Sequence, residues 1–419
     1  MEVYKLREVV KDYYEKEIPE IIEREIKVSL PENIDRCVVL IGPRRAGKTY
    51  YLFQQMSKLK KNERIYINFE DFRFENENYK VILEIVDQFF QLTGCEKPIL
   101  FLDEIQNIKD WEIAVRNLID QRYKIFITGS NSKLLSREIS TSLRGRSLNY
   151  YIFPFSFLEF LKVKKMKVNK FISSKDKNMI LRYLEEYLEF GGYPEVVLSE
   201  EKENKERILK EIWDLTILKD IVERYGFKNI KILRLLIKAI IESKELSIHK
   251  FYNFLKSMNI RVSKNTLYEY LQALSDVMIV FPVHNYAPTY KDVERSIPKM
   301  YLVDNGLYLH SKDIGRKMEN VVFVHLKRQE NYAPLQEIYY YKTKNNKEID
   351  FVVKNGNNIE IIEVCYVFDE EHKRKLICAM EELNLEECVC ITWDEEEKIE
   401  EKNKKILLIP LWKWLISVK

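Results

Sequence analysis

Apolar positions in the first part of the chain gather into short unbroken runs, and each run stops on small or charged residues. Cys37-Val38-Val39-Leu40-Ile41 stops at Gly42, Arg64-Ile65-Tyr66-Ile67-Asn68-Phe69 at Glu70 and Asp71, and Ile99-Leu100-Phe101-Leu102 at Asp103 and Glu104. Lys124-Ile125-Phe126-Ile127-Thr128 passes into Gly129-Ser130-Asn131, and Asn149-Tyr150-Tyr151-Ile152-Phe153 follows. Continuous rather than alternating runs, separated by helical stretches such as Thr49 to Lys60, predict the buried strands of a parallel sheet over residues 30 to 155. From Phe157 to about Tyr225 the apolar spacing becomes three and four, as in Leu181, Leu184, Tyr187 and Leu188, which predicts packed helices. Gly191-Gly192-Tyr193-Pro194 breaks that run, as a hinge or as a simple interhelical turn. Between Asn229 and Leu309 three helical segments precede extended sequence, and Leu246-Ser247-Ile248 and Val262-Ser263-Lys264-Asn265-Thr266 read as capped helix starts, the logic of a helix-turn-helix. Met1 to about Lys27 predicts a charged amphipathic helix and not a signal sequence.

The junction after the first run carries the most specific chemistry. Gly42-Pro43-Arg44-Arg45-Ala46-Gly47-Lys48-Thr49 spells G-x-x-x-x-G-K-T between a buried strand and a helix, and Tyr50 continues the segment. Two glycines let backbone N–H groups curl around phosphates while the following helix points its positive end at them. Lys48 supplies a charge for the β- and γ-phosphates and Thr49 a hydroxyl for Mg2+. The pattern implies ATP or GTP. Of the two carboxylates that close the third run, Asp103 suits the magnesium shell, and Glu104 suits the orientation of an attacking water. A hydrolytic glutamate, with a strand inserted in sequence between the two motifs, argues for ATP turnover rather than a slow GTP timer.

Two further groups complete this expectation. Ser130 or Asn131, after the fourth strand, stands where such ATPases keep a polar residue that senses the γ-phosphate. Ser142-Leu143-Arg144-Gly145-Arg146-Ser147 brings a pair of arginines expected near the carboxyl edge of the sheet. A guanidinium forks onto phosphate oxygens, so Arg146 in preference to Arg144 suits an arginine finger, worth on the order of a thousandfold in turnover. The sequence leaves open whether the finger acts on its own site or on a neighbour's.

The runs GPRRAGKT, LDEIQ, TGSNSKLLS, LRGRS, YIFPFSFLEFL and EFGGYPEVV together resemble the archaeal AAA+ ATPase family, related to the signal-transducing ATPases, that carries a C-terminal domain of uncharacterised function. The resemblance covers nearly the whole chain, with the motifs in order. It implies an α/β fold: a P-loop parallel sheet, the AAA+ core, with a helical lid, a winged helix-turn-helix and a C-terminal α/β restriction-endonuclease-like domain. The corresponding boundaries are 1–29 for the N-terminal helix, 30–155 for the core, 156–225 for the lid, 226–312 for the winged helix and 313–419 for the last domain.

In the recognition helix of that winged module, Leu267, Tyr270, Leu271 and Leu274 make the buried stripe and leave Lys264, Asn265, Glu269 and Gln272 outward. Few of these are cationic. The stretch from Lys291 to Lys299, with Arg295 between, is expected to form a wing that touches a DNA backbone, and winged helices also dock proteins. In the last domain the resemblance to PD-(D/E)xK nucleases places Glu319, Asp350 and Glu363 at metal-binding positions, a degenerate second Mg2+ site. The lysine expected two residues after Glu363 is Cys365, too soft a ligand for magnesium chemistry. Lys342 or Lys347 is a candidate replacement from the neighbouring hairpin, and the domain reads as a binding or structural relic rather than a working nuclease.

Composition agrees with a large cytoplasmic enzyme. The 419 residues are 46% hydrophobic and 32% charged, with a net charge of +3, which excludes a generally basic nucleic-acid coat. The six cysteines lack a C-x-x-C pair and read as reduced core residues, and the five histidines lack zinc spacing. No apolar stretch reaches membrane-spanning length, and Trp412 and Trp414 are expected to complete a core. Three functions follow as expectations. The first is an AAA+ ATPase that couples nucleotide state to movement on a partner, DNA first, with homo-oligomerisation open. The second is a nucleotide-gated switch that docks a protein, and the third an ATPase-regulated nuclease.

Overall fold

The computed structural model describes residues 3–30, 34–129, 141–168, 171–309 and 311–417. The chain divides into two compact units, 1–153 and 154–419. In the first, strands β1 (Cys37–Ile41), β2 (Arg64–Asn68), β3 (Ile99–Asp103), β4 (Ile125–Thr128) and β5 (Ser147–Tyr151) form one sheet in the order β2-β3-β4-β1-β5. Every neighbouring pair is parallel. The strand that lies between β1 and β3 in space is therefore β4, and β2 lies at the edge. Helices α2 (Lys48–Met56), α3 (Lys80–Thr93) and α4 (Trp111–Asp120) are the crossovers. The unbroken apolar runs follow from burial on both faces: Val38, Leu40, Phe101 and Phe126 pack against Tyr51 and Leu52 of α2. The rings of Phe101 and Phe126 stack at 5.0 Å across neighbouring strands.

The N-terminal helix is shorter than expected. Helix α1 runs Val3–Glu15, and residues 16–30 form no helix. Pro19 lacks an N–H and biases Ile18 away from helical geometry, which ends the run. Ile18, Ile21, Ile26, Val28 and Leu30 of this irregular segment pack onto the α2 side of the sheet. Arg24, only 6% exposed, is its anchor. Its guanidinium donates to the Ala46 carbonyl at 3.0 Å and to the Phe153 carbonyl at 2.5 Å, and its backbone N–H donates to Gln54 Oε1 at 2.8 Å.

The second unit opens with helices Phe157–Val163, Ser174–Phe190 and Lys202–Leu215. Helices Ile230–Glu242, Ile248–Ser257 and Lys264–Asp276 follow, and the antiparallel pair β6 (Val280–Val283) and β7 (Lys299–Leu302) comes next, with Glu245 bridging to Lys299. Three helices and a small two-stranded sheet make up this part of the chain, with Lys264–Asp276 the last of the helices. Its stripe is Leu267, Tyr270, Ala273 and Leu274. Leu271 is only half-buried, because it lines an open groove with Pro282 and Arg295. The chain ends in a mixed six-stranded sheet, order β12-β13-β11-β10-β9-β8, built from β8 (Gln336–Lys342), β9 (Glu348–Asn355), β10 (Asn358–Val364), β11 (Glu387–Thr392), β12 (Glu397–Glu401) and β13 (Lys404–Pro410). Helix Glu370–Glu382 crosses between the parallel strands β10 and β11 and buries Leu376 and Met380 on the sheet. Cys37, Cys365, Cys388 and Cys390 are buried and free, and Trp412 and Trp414 are buried.

The Gly191–Pro194 break is a tightly held turn. Gly191 has φ +74, and the Gly192 N–H donates to Asp304 Oδ2 at 2.7 Å. A Cβ on Gly192 would stand 2.2 Å from the Phe155 carbonyl oxygen. Gly192→Ala is accordingly expected to cost about 2 kcal/mol or more in urea unfolding. A loss below about 0.5 kcal/mol would show a compliant hinge instead of a packed turn.

Candidate active site

The parallel register brings the polar ends of four strands to one edge. Leu40 pairs with Thr128, Leu102 with Ile127 and Asn68 with Asp103, so the loop after β1 faces Asp103, Thr128 and Asn68. Within that loop Arg45 at φ 62 and Gly47 at φ 92 turn the backbone into a concave nest. Gly42 lets it pass close to the neighbouring chain, since a Cβ there would sit 2.1 Å from the Ile152 carbonyl oxygen. Lys48, 6% exposed, begins helix α2, and its Nζ donates to the Gly42 and Pro43 carbonyls at 3.0 and 3.2 Å.

Asp103 has no exposed surface. Burial pushes its carboxyl above the usual range, Glu104 adds to the rise, and hydroxyl donors from Thr128, Thr49 and Tyr66 oppose it. Tyr66 donates to Oδ2 at 3.0 Å and Thr128 to Oδ1. The same Thr128 hydroxyl oxygen accepts the Glu104 N–H at 3.2 Å. Glu104 holds φ 52, a left-handed conformation that costs a non-glycine residue about 1 kcal/mol and is typical of sites that aim a side chain. Gln106 Nε2 donates to Glu104 Oε2 at 2.5 Å. Glu70, just past β2, is held above the usual carboxylate range by desolvation and by Glu104, while Arg44 and Lys48 pull it down. A buried carboxylate ringed by hydroxyls beside a threonine suits Mg2+, which keeps several waters and takes one or two protein oxygens besides phosphates.

Residues 35–161 match the model of the AAA domain. Residues 181–317 and 314–414 match two domains of unknown function, DUF8612 and DUF4143. Uncharacterized protein MJ1544 of Methanocaldococcus jannaschii is 39% identical over 412 residues, 95% of this chain and 91% of that relative. An uncharacterized protein of Haemophilus influenzae is 30% identical over 354 residues, 81% and 84% of the two chains. The chain belongs to their family, AAA-domain P-loop ATPases with C-terminal DUF8612 and DUF4143. Among solved structures, the Walker-type ATPase PABY2304 of Pyrococcus abyssi aligns over 73% of this chain and 94% of its own, at 13% identity and a TM-score of 0.44. Cdc6p of Pyrobaculum aerophilum aligns over 71% and 88%, at 14% identity and a TM-score of 0.26. Scores this low bear on neither function nor partner.

Within the AAA domain, two expectations need restating. Ser130 and Asn131 lie outside the described residues, and the polar group that the structure puts at the end of β4 is Thr128. The arginines do not stand near the carboxyl edge. Strand β5 runs parallel to β1 with Cys37 opposite Ser147, and the Arg146 carbonyl accepts the Cys37 N–H at 3.0 Å. Arg146 is thus level with the amino end of β1, a strand's length of roughly 16 Å from the loop after Ile41. Its guanidinium pairs with Asp120 at the end of α4, and Arg144 is exposed nearby at φ 52.

In the second unit Glu319, Asp350 and Glu363 do converge, but on ammonium groups. Lys299 Nζ lies 2.9 Å from Glu319, 3.0 Å from Asp350 and 2.7 Å from Glu348. Lys244 reaches Glu319 at 3.1 Å, and Lys375 bonds Glu363. Lys299 is 1% exposed, so it is no part of a DNA-touching wing, and residues Tyr290–Arg295 are a short helix. Burial would lower the Lys299 ammonium, yet Tyr301 and the surrounding carboxylates raise it well above the lysine range. Burial would raise Glu319, and Lys299 and Lys244 bring it below the usual range. Lys342 pairs with Glu245 at 2.6 Å and Lys347 with Glu371 at 2.5 Å, so neither replaces the missing lysine. No group of three or more His, Cys, Asp or Glu among the described residues forms a metal site.

Removing one partner of such a buried set leaves the others uncompensated, so Lys299→Met is expected to cost about 3–5 kcal/mol at neutral pH. Glu319 lies below its unfolded value of 4.5, so its contribution is complete above that pH and fades as the pH falls toward the folded value. The stability gap between wild type and variant should therefore narrow in acid. A gap of the same size at pH 7 and pH 4 in chemical denaturation would contradict this charge account.

Proposed function

We propose that the chain is an ATP-hydrolysing AAA protein in which Lys48 and the Gly42–Thr49 backbone hold the phosphates and Thr49 and Asp103 hold Mg2+. The observation that carries this reading is Asp103, buried at the loop's edge of the sheet with hydroxyls of Thr49, Thr128 and Tyr66 on its oxygens. Mg2+, when bound, neutralises phosphate charge. Glu104 orients the attacking water, its backbone fixed by Thr128 and its carboxylate steadied by Gln106. Residues 156–225 serve as the lid, 226–312 as a winged-helix module, and 313–419 as a PD-(D/E)xK-like fold without nuclease chemistry, its carboxylates neutralised by Lys299, Lys244 and Lys375. Nucleotide state then acts on a macromolecular partner. The exposed face of Lys264–Asp276 carries one cation against Glu269, and in helix Tyr290–Arg295 Lys291 and Arg295 are balanced by Asp292 and Glu294, a surface without net positive charge that favours a protein over a DNA backbone.

In a steady-state ATPase assay Glu104→Gln is expected to keep ATP binding and lose about a hundredfold or more in turnover. Equal turnover in wild type and variant removes the water-activating role. Added double-stranded DNA is expected to leave the rate unchanged, and stimulation would restore the DNA-directed reading. Because Arg146 is remote from its own loop, a finger role requires a second copy of the chain. Turnover per chain should then rise with protein concentration in wild type and stay flat and low in Arg146→Ala. Turnover independent of concentration in both would end the trans role.

A further inference from the structure

Residues 24–28 lie along α2, the helix that the phosphate loop opens, and two side chains one turn apart on that helix hold them there. The Gln54 side chain accepts the Arg24 N–H at 2.8 Å and donates to the Arg24 carbonyl at 3.4 Å. The Tyr51 hydroxyl donates to the Ile26 carbonyl and accepts the Val28 N–H, both at 3.1 Å. With its own N–H and carbonyl fixed in this way, Arg24 extends a buried guanidinium between two neighbouring stretches of chain. Nη1 donates to the Ala46 carbonyl inside the phosphate loop at 3.0 Å, and Nη2 to the Phe153 carbonyl just past β5 at 2.5 Å.

The grip on Ala46 falls where the loop's geometry is decided. Ala46 lies between Arg45 at φ 62 and Gly47 at φ 92, the two left-handed residues that turn the loop into a nest. A trans peptide is planar, so its carbonyl and the N–H that follows point in opposite directions. Holding the Ala46 carbonyl toward Arg24 therefore aims the Gly47 N–H the other way, toward the concave side of the nest. Glycine adopts φ of either sign at little cost, so the same peptide could flip and turn its carbonyl oxygen toward the phosphates. A charged donor on that carbonyl opposes the flip, and it polarises the peptide so that the Gly47 N–H becomes a stronger donor. Ala46 has no exposed surface, which leaves bulk water no access to replace the guanidinium.

We propose that Arg24 is a positioning residue for nucleotide binding, holding the Ala46–Gly47 peptide so that the Gly47 N–H meets a phosphate oxygen. The proposal rests on the P-loop reading above and adds to it a residue that lies outside the motif. Arg24 stands behind the loop and acts through its backbone. Lysine is no equivalent, since a single ammonium on a flexible stem lacks the planar fork that spans two carbonyls. A backbone donor to phosphate serves the bound nucleotide and the transition state alike, so Arg24 governs affinity and leaves the chemical step to Glu104.

The test uses the full chain as wild type, Arg24→Met, Arg24→Lys and Lys48→Ala, each held well below its thermal midpoint. Binding of a fluorescent ADP analogue and steady-state ATP turnover are measured for all four. Both arginine variants are expected to raise the ADP dissociation constant and the KM for ATP about tenfold, with kcat within about twofold of wild type. A residue that only stabilised the fold would lower the midpoint and leave the affinity of the folded protein unchanged. Arg24→Lys keeps the buried length and charge, so it carries the test alone where Arg24→Met does not fold. ADP affinity within about twofold of wild type in Arg24→Lys overturns the proposal, as does a loss of kcat with KM unchanged. Equal nucleotide binding in wild type and Lys48→Ala would instead overturn the P-loop reading, and this proposal with it.

Discussion

A carboxylate with no exposed surface stands at the end of the third strand, and the arrangement around the phosphate loop depends on keeping it there. Burying Asp103 opposes its own ionisation. The sheet answers with hydroxyls from three other elements: Tyr66 on β2, Thr128 on β4 and Thr49 on the loop's helix. This is possible because all five strands run the same way, so their polar ends meet at one edge. In a site of low dielectric these donors act at full strength and need no reorganisation when nucleotide arrives. The Thr128 hydroxyl also holds the Glu104 backbone, so Asp103 and Glu104 share one support.

The loop itself is braced from outside the sheet. Arg24 sits in the irregular stretch after α1 and clamps the Ala46 carbonyl and the Phe153 carbonyl with one buried guanidinium. Residues 16–30, which the sequence reads largely as a continuation of the N-terminal helix, are instead irregular and part of the loop's foundation. In the second unit, buried charge has been answered by buried charge. Lys299 gathers Glu319, Glu348 and Asp350, and a covalently tethered ammonium cannot leave as a hydrated cation does.

The β-strands, the phosphate loop and the Asp103-Glu104 pair were legible because each is local: an apolar run and its terminal residues sit next to one another in sequence. Thr128 is legible by the same logic, as a hydroxyl that closes the run Ile125–Thr128. Tyr66 and Arg24 were not legible. One required knowing that β2 pairs with β3 in the register Asn68–Asp103, and the other that Pro19 ends the helix early. Arg146 was misplaced because proximity in sequence to a polar turn says nothing of which end of a parallel strand it precedes. Lys299 looked like a wing cation because its three carboxylate partners come from 20 to 51 residues further along the chain.

The role proposed for Asp103 is that of the carboxylate through which Mg2+ strengthens nucleotide binding. The most direct measurement is the affinity of a fluorescent ATP analogue for wild type and Asp103→Asn, each with Mg2+ and with EDTA. The expected result is that Mg2+ tightens binding about tenfold or more in wild type and adds little in the variant, with both alike in EDTA. An equal gain from Mg2+ in the two proteins would contradict the account and separate the hydroxyl-ringed carboxylate from the metal.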